Sequence, residues 1–364
     1  MIDINFFKDV DILIDFLGLF LFSFIFCCIL IVLNQTQLFQ KRLIEDLSAV
    51  QSTHTKPVSR VGGLALFAGS IILLLLARSI GFDPSSLWLF IIASLPICLI
   101  GTAEDLGLAM SPLRRLIAIC VSSVLMILFY GCWLSRVGIP FIDTFLSFAP
   151  IGVIFTIFAS AGVTNAFNLI DGLNGLAGFT AITISVSLSF LAFPAYYDLG
   201  ILCLSITPLI AGFLILNFPF GKIFLGDGGA YLLGHSLVWL AICLMGIDSS
   251  ISPFAVLLIF FWPVADTLLA IWRRKKLSKS NYQPDRLHFH QLTMRFLEIK
   301  GFGRYRRNIT NPLATSILLP IIIMPQILGV IYARDGIMAP LSLAIVAVIF
   351  VTAYFAGITY AKKR

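Results

Sequence analysis

Apolar windows of about twenty residues recur along the whole of this 364-residue chain. An α-helix needs a window of that length to cross a bilayer, and 59% of the residues are hydrophobic whereas only 12% are charged. We therefore expect an all-α, polytopic integral membrane protein with about eleven transmembrane helices. The predicted spans are residues 12–33, 61–80, 86–103, 115–133, 149–168, 174–193, 199–217, 229–247, 252–272, 313–333 and 338–358.

The first span follows an acidic segment without a small-residue cleavage site, which predicts a retained helix rather than a signal peptide. Every cysteine lies in an apolar stretch, and none belongs to a CxxC pair. We therefore expect core side chains rather than disulfides or metal ligands. The seven cysteines are Cys27, Cys28, Cys98, Cys120, Cys132, Cys203 and Cys243.

Basic residues divide unequally between the two faces that these spans define. With the N-terminus outside, the basic run 273–307 and most other lysines and arginines fall on one face. The other face keeps Lys8, Arg78, Arg136 and Arg334. The positive-inside rule makes the first face cytoplasmic and places the C-terminus there as well. The net charge of +7 thus belongs mostly to the cytoplasmic face.

Five polar clusters interrupt the apolar pattern, and all five fall on the cytoplasmic face. They are "THTKPVSRVGG" (53–63), "GTAEDLGLAMSPLRR" (101–115), "NAFNLIDGLNGLAG" (165–178), "NFPFGKIFLGDGGAYLLG" (217–234) and the stretch from "WPVADTLLAIWRRKK" to "YQPDRLHFHQLTMR" (262–295). We expect a single transmembrane domain, 1–364, in which cytoplasmic loops build one site. The predicted site loops are 34–60, 104–114, 169–173, 218–228 and 273–312.

Each cluster also has a structural interpretation. Asn165, Asn168 and Asp171 recur at three-residue steps and could hydrogen-bond a neighbouring helix. Glu104 and Asp105 could close a hydrophilic turn. Asp227, followed by two glycines, could cap the next helix, or it could approach a metal ion and a phosphate. In the basic loop, His288 and His290 could simply be solvated.

Carboxylates and amides gathered on one face form a hard oxygen environment, which suits Mg²⁺, or Mn²⁺ in its place. Basic residues around them would neutralise a diphosphate. Because the site lies at the bilayer surface, one reactant should be a lipid. The residues alone therefore predict a metal-dependent transfer that involves a phosphorylated, lipid-bound substrate.

The motifs "KPVSRVGGLAL", "AEDLG" followed by "SPLRRL", "NAFNLIDGLNGLAG", "NFPFGKIFLGDGGAYLLG" and "PDRLHFHQL", in this order, resemble the polyprenyl-phosphate N-acetylhexosamine-1-phosphate transferases. The resemblance implies a phosphotransferase of the bacterial inner membrane that works with Mg²⁺. It would move a sugar-1-phosphate from a UDP-N-acetylaminosugar to undecaprenyl phosphate, release UMP and start a surface glycan such as O-antigen. It implies no nucleic-acid partner and allows a homodimer.

Carried over by position, the resemblance makes Asp227 the Mg²⁺ ligand and a catalytic residue. It makes Asp105 the group that contacts or deprotonates the lipid phosphate, with Glu104 as its catalytic neighbour, and leaves open whether a covalent aspartyl intermediate forms. The implied substrate-binding residues are Lys56, Asn165, Asn168, Asp171, Asn217, Arg286, His288 and His290.

Two positions depart from the family pattern. Glu104 stands where the family usually has aspartate, and Gln291 stands where a third histidine is common. The second departure favours transferases of N-acetylglucosamine or 6-deoxy-N-acetylhexosamine over the muramoyl-pentapeptide branch.

The alternative function is a secondary transporter, which predicts acids near the bilayer midplane and related sequence halves. The acids of the polar clusters are instead expected at cytoplasmic helix ends, and the sequence shows no internal repeat. A CDP-alcohol phosphotransferase would need further aspartates after Asp171, and these are missing.

Overall fold

The computed structural model describes residues 10–34, 58–276, 287–303 and 306–362, and the regular elements of these residues are helices. In chain order they are α1 (Val10–Asn34), α2 (Gly62–Ile80), α3 (Pro84–Asp105), α4 (Pro112–Tyr130), α5 (Pro140–Leu146), α6 (Ala149–Ile170), α7 (Leu176–Ala192), α8 (Tyr197–Asn217), α9 (Gly226–Ile247), α10 (Pro253–Ile259), α11 (Phe261–Lys276), α12 (Phe289–Leu297), α13 (Arg307–Ile331) and α14 (Met338–Lys362). A π-helical turn, Glu298–Phe302, follows α12.

The helices coincide with the predicted apolar windows. Within the described ranges, nine helices are long and apolar enough to cross a membrane, and the bent pair of α10 and α11 makes ten. The remaining predicted span, 174–193, coincides with α7, which has only 17 residues. An all-α, multi-pass membrane protein is thus confirmed. The count of eleven spans and the orientation of the termini stay predictions.

Local sequence signals set several helix ends. Asp83 precedes Pro84 and accepts a hydrogen bond from the backbone N–H of Ser85, so it caps the start of α3. Ser111 caps α4 in the same way, ahead of Pro112. Only residues 106–111 connect the end of α3 to the capped start of α4, which keeps these two helix ends adjacent.

Helix α9 lies at the centre of the bundle. In its most apolar window 72% of the residues are buried, against 17% in α1 and in α14. It packs against α2, α3, α6, α7 and α8. A polar group at either end of α9 is therefore surrounded by the ends of several other helices.

Glycines allow this close approach at the start of α9. A β-carbon on Gly101 of α3 would lie 2.5 Å from the Cα atom of Gly228, and one on Gly63 of α2 would clash with the backbone of Gly229. Gly226 has a φ of +76°, in the left-handed region that favours glycine. Three helices can thus converge on one backbone turn.

The predicted span 252–272 is broken rather than straight. Helices α10 and α11 meet at an angle of 83° on either side of Phe260. Pro263 lies in the first turn of α11, and it has no N–H to donate to the carbonyl of Ile259, so the helix cannot continue straight through this point. The bend carries Asp266 of α11 towards the start of α12.

Candidate active site

Asp105, the last residue of α3, holds the first turn of α9. Its two carboxylate oxygens accept hydrogen bonds from the backbone N–H groups of Asp227 (2.8 Å) and Gly228 (2.9 Å). First-turn N–H groups have no partner inside their own helix. Asp105 therefore caps α9 from 122 residues away.

The Asp227 side chain points to two arginines and does not cap its own helix. Its Oδ1 atom lies 3.0 Å from Arg60 Nη2, and its Oδ2 atom lies 3.5 Å from Arg115 Nη1. The same Arg115 atom lies 3.1 Å from Oε1 of Glu104. Arg60, Glu104, Asp105, Arg115 and Asp227 thus form one charge cluster, built from the ends of four helices.

The charge cluster is layered. The side chains of Asp105 and Asp227 are 4% and 9% exposed, whereas those of Arg60 and Arg115 are 40% and 26% exposed. An anion that approaches from the surface would therefore meet the guanidinium groups before Asp105 and Asp227, whereas Glu104, whose side chain is 27% exposed, lies at the level of Arg115. Guanidinium groups match phosphate oxygens in geometry as well as in charge.

Tyr231 connects the charge cluster to the end of α6. It lies four residues after Asp227, on the same side of α9. Its hydroxyl lies beside Arg115 and accepts a hydrogen bond from Asn168 Nδ2 at 3.0 Å. Asn168, one of the predicted binding residues, is therefore next to the cluster.

The other predicted polar residues at the end of α6 lie on the same helix end. Asn165 is exposed and lies three residues before Asn168. Asp171 follows the last residue of α6, is half-buried, and donates its backbone N–H to the Asn168 carbonyl at 3.4 Å. The α6 end thus presents three polar side chains within two helical turns.

Asn217 is buried beneath the adjoining turn. Its Oδ1 atom accepts a hydrogen bond from the Gly175 backbone N–H at 2.6 Å, and its Nδ2 atom donates to the Ile223 carbonyl at 2.8 Å. The amide therefore fixes the turn after α6 to the loop that leads into α9. A site-lining role for Asn217 stays a prediction, and the contacts give it a positioning role.

Both predicted histidines surround an acid on α11. The Oδ2 atom of Asp266 lies 3.1 Å from Nδ1 of His288 and 3.4 Å from Nδ1 of His290. Its Oδ1 atom accepts a hydrogen bond from the Phe289 backbone N–H at 2.9 Å. All three side chains are buried, so the solvated-loop interpretation of the histidines is wrong.

His290 also joins this acid–histidine group to the Asp171 turn. A β-carbon on Gly172 would lie 2.6 Å from Nε2 of His290. Burial lowers the pKa of His290, and the neighbouring Asp266 carboxylate opposes that shift. The ring is therefore neutral at neutral pH, and it packs directly under the backbone that carries Asp171.

Three side chains in this region were not singled out by sequence reasoning. Arg115 and Tyr231 carried no distinctive signal, because an arginine beside an apolar span resembles an ordinary membrane anchor and a tyrosine within a span resembles a packing residue. Asp266 carried a clearer signal, because it is the only acid in the apolar run 261–272. The predicted binding residues Lys56 and Arg286 lie outside the described residues.

The carboxylates suit a metal ion that is shared with a substrate. Within the described parts of the chain, no three His, Cys, Asp or Glu side chains are grouped to hold a metal ion. Mg²⁺, however, commonly uses one or two protein carboxylates together with waters and substrate phosphates. Glu104 and Asp227 converge on one atom of Arg115, and Oε2 of Glu104 is buried without a hydrogen-bond partner among the described residues. This donor set fits such an ion.

The family model described as glycosyl transferase family 4 matches residues 87–245, from α3 to α9. A probable undecaprenyl-phosphate N-acetylglucosaminyl 1-phosphate transferase of Bacillus subtilis (strain 168) is 30% identical over 268 residues, which cover 70% of this chain and 72% of the relative. Undecaprenyl-phosphate alpha-N-acetylglucosaminyl 1-phosphate transferases of Salmonella typhi and Escherichia coli (strain K12) are 29% and 26% identical. Those matches cover 75% and 86% of this chain, and 74% and 83% of the relatives. The chain belongs to glycosyl transferase family 4.

Proposed function

We propose that the protein transfers an N-acetylaminosugar-1-phosphate from a UDP-sugar to undecaprenyl phosphate at the cytoplasmic face of the bacterial inner membrane, and releases UMP. The charge cluster carries this proposal, since two arginines stand in front of acids at the edge of a helix bundle. The names of the relatives supply the lipid acceptor and make N-acetylglucosamine the proposed sugar. The product would start a lipid-linked surface glycan such as O-antigen.

In the proposed reaction an oxygen of the lipid phosphate attacks the sugar-linked phosphorus of the UDP-sugar, and UMP leaves. A phosphate monoester has a second pKa of about 6 and is already largely ionised at neutral pH. The main tasks of the site are therefore to position two anions and to neutralise their charge. Removal of a proton is secondary. Arg60 and Arg115 would do so by exchanging their acidic partners for phosphate oxygens.

The contacts of Asp105 bear on its predicted role. Both of its oxygens are occupied by backbone N–H groups, and the side chain is 4% exposed. To accept a proton or to attack a phosphorus atom, the carboxylate would first have to release one of these N–H groups, which have no other partner in their own helix. We therefore favour direct attack by the lipid phosphate and assign Asp105 the positioning of Asp227.

Asp227, together with Glu104, would hold Mg²⁺. When bound, the ion supplies further neutralisation of the phosphate charge. Asn168, Asp171 and the turn fixed by Asn217 would line the nucleotide side of the site, and His288, held by Asp266, would hold a phosphate oxygen.

The test is to incubate the purified protein with undecaprenyl phosphate, Mg²⁺ and a panel of UDP-N-acetylaminosugars, and to measure UMP and lipid-linked sugar. We expect both products, with UDP-N-acetylglucosamine as the best donor. Movement of a solute across a vesicle membrane without UMP release would instead support the transporter alternative.

Asp227→Asn keeps the shape of the side chain but removes its charge, so we expect UMP release to fall by about 100-fold or more. The matched control is Asp248→Asn, at the opposite end of α9, which should keep near-normal turnover. Wild-type turnover in Asp227→Asn would remove this residue from the site.

A further inference from the structure

Two cysteines that are far apart in the sequence meet at one end of the helix bundle. Cys132 follows the end of α4, and Cys243 lies one turn before the end of α9. Their Sγ atoms are 3.2 Å apart across 111 residues of chain. Free sulfur atoms at this distance are already close to bonding range.

The backbone holds the two thiols together. A β-carbon on Gly246 would lie 3.3 Å from the β-carbon of Cys132, and Gly246 is on the same side of α9 as Cys243. The Leu134 backbone N–H, two residues after Cys132, donates to Thr156 Oγ1 of α6 at 2.8 Å. The backbone around Cys132 is thus bonded to α6 and lies close to α9, through contacts that do not involve the sulfur of Cys132.

Arg136 fixes the same loop to the end of α9. Its Nη2 atom donates to the Asp248 carbonyl at 3.2 Å. Asp248 in turn lies 3.0 Å from Nη2 of Arg334. The segment around Cys132 therefore cannot move away from the end of α9 without breaking the hydrogen bond from Arg136.

The cysteine pair lies at the membrane face opposite the charge cluster. Asp227 is in the first turn of α9, and Cys243 follows it by sixteen residues, a rise of about 24 Å. In the proposed orientation this is the outer face, where thiols meet an oxidising compartment. We propose that Cys132 and Cys243 form a disulfide bond that joins the outer ends of α4 and α9. This inference rests on the proposed orientation but not on the transferase activity.

The oxidant is an external disulfide, either a low-molecular-weight one or that of a thiol–disulfide oxidoreductase. One cysteine thiolate attacks it, forms a mixed disulfide and releases one thiol. The second thiolate then attacks the protein sulfur and releases the other thiol. Two cysteine thiols are oxidised, one external disulfide is reduced, and the two protons pass to the departing thiols.

The experiment counts reducible thiols in the full-length protein from intact cells. Acid quenching first protonates the thiols and stops exchange, and the protein is then denatured at neutral pH with a maleimide that blocks the free thiols. It is next reduced, and the new thiols are labelled with a heavier maleimide. We expect two heavy labels in the wild type, and none in Cys132→Ser or Cys243→Ser. The control Cys203→Ser, in the neighbouring helix α8, should keep both labels.

Three outcomes would overturn the proposal in distinguishable ways. If purified protein treated with glutathione disulfide gains no reducible pair, the pairing is wrong. If the purified protein forms the bond but cells do not, the compartment is wrong. In that case a membrane-impermeant maleimide, applied to intact cells that carry the Cys243→Ser variant, should fail to label the thiol of Cys132. Loss of both labels in Cys203→Ser would reassign the pair to Cys203 and Cys243.

Discussion

At the scale of single residues, Asp105 illustrates how contacts decide a role that residue type leaves open. The family resemblance implied an acid that meets the lipid phosphate. In the structure its oxygens accept hydrogen bonds from the N–H groups of Asp227, 122 residues later, and of Gly228. No local pattern contains that information, because it depends on how α3 and α9 pack. The end of α6 was more open to sequence reasoning, since the three-residue spacing allowed a hydrogen bond to a neighbouring helix, and Asn168 makes one to Tyr231 of α9.

Asp105→Asn tests the positioning role. An amide replaces one acceptor with a donor, so the N–H of Asp227 or Gly228 loses its partner, at a cost of about 1–3 kcal/mol. We expect a lower melting temperature together with lower UMP release. Loss of turnover at an unchanged melting temperature would favour the proton-acceptor role instead.

The matched control for this variant is Asp335→Asn. Asp335 also accepts two backbone N–H groups, those of Ile337 and Met338, through its single Oδ1 atom. The amide keeps that oxygen, and the position lies at the start of α14. We therefore expect near-normal turnover and a near-normal melting temperature.

His290 makes stability depend on pH. Burial lowers the pKa of His290 below the ordinary value of 6.5. The unfolded chain therefore binds a proton at a higher pH than the folded protein does. The unfolding free energy should fall as the pH drops through about 6.5 and should go on falling towards the lower pKa of the folded state.

His290→Gln removes this titration, so we expect its melting temperature to change less than that of the wild type between about pH 7.5 and about pH 5.5. The measurement is a thermal melt at each pH in the same detergent. Equal pH dependence in the two proteins would mean that the folded protein protonates His290 as readily as the unfolded chain does.

At the scale of helices, the length of each apolar run predicted which segments form the long helices of the bundle. Capping residues such as Ser111 mark where helices begin. The break between α10 and α11 was missed, because the apolar run continues through Pro263 and hydropathy does not register a missing N–H group. The short helices α5 and α12 were missed for a related reason, since seven and nine residues are too few to stand out as apolar windows.

Gly101→Ala tests the contact between α3 and α9. The added methyl group would lie 2.5 Å from the Cα atom of Gly228, so α3 must shift and carry Asp105 with it. We expect a loss of about 1–3 kcal/mol in stability and a fall in UMP release. A thermal melt and the product assay on the same sample measure both.

Gly162→Ala is the control for this substitution. Gly162 lies in the middle of α6, and a β-carbon there would meet no atom within 4 Å. It should be neutral or slightly stabilising, because alanine is the better helix former. Equal behaviour of the two variants would show that the α3–α9 contact adapts without cost.

At the scale of the whole molecule, the division of basic residues predicts that the charge cluster faces the cytoplasm. The helix order agrees with one shared face for the site, since α3 ends and both α4 and α9 begin at the cluster. The direction in which the protein inserts decides which membrane face carries the cluster. Contacts within the chain do not encode that direction. The meeting of Cys132 and Cys243 was likewise hidden from sequence reasoning, which treated each cysteine as a separate core residue.

The orientation predicts the fate of reporters fused to the two termini. A fluorescent protein that matures only in the cytoplasm should be bright at the C-terminus and dark at the N-terminus. A phosphatase that needs an oxidising compartment should show the reverse. The opposite result would place the charge cluster outside and remove it from cytoplasmic UDP-sugars.

The pairing of Arg60 and Arg115 with acids has a consequence for turnover. Any anion that enters must displace Glu104 or Asp227 from these arginines, and the acids recapture them when it departs. In the proposed reaction, these acids would therefore compete with the product for the two arginines. We therefore expect UMP to dissociate faster than it would from the same arginines without acidic partners.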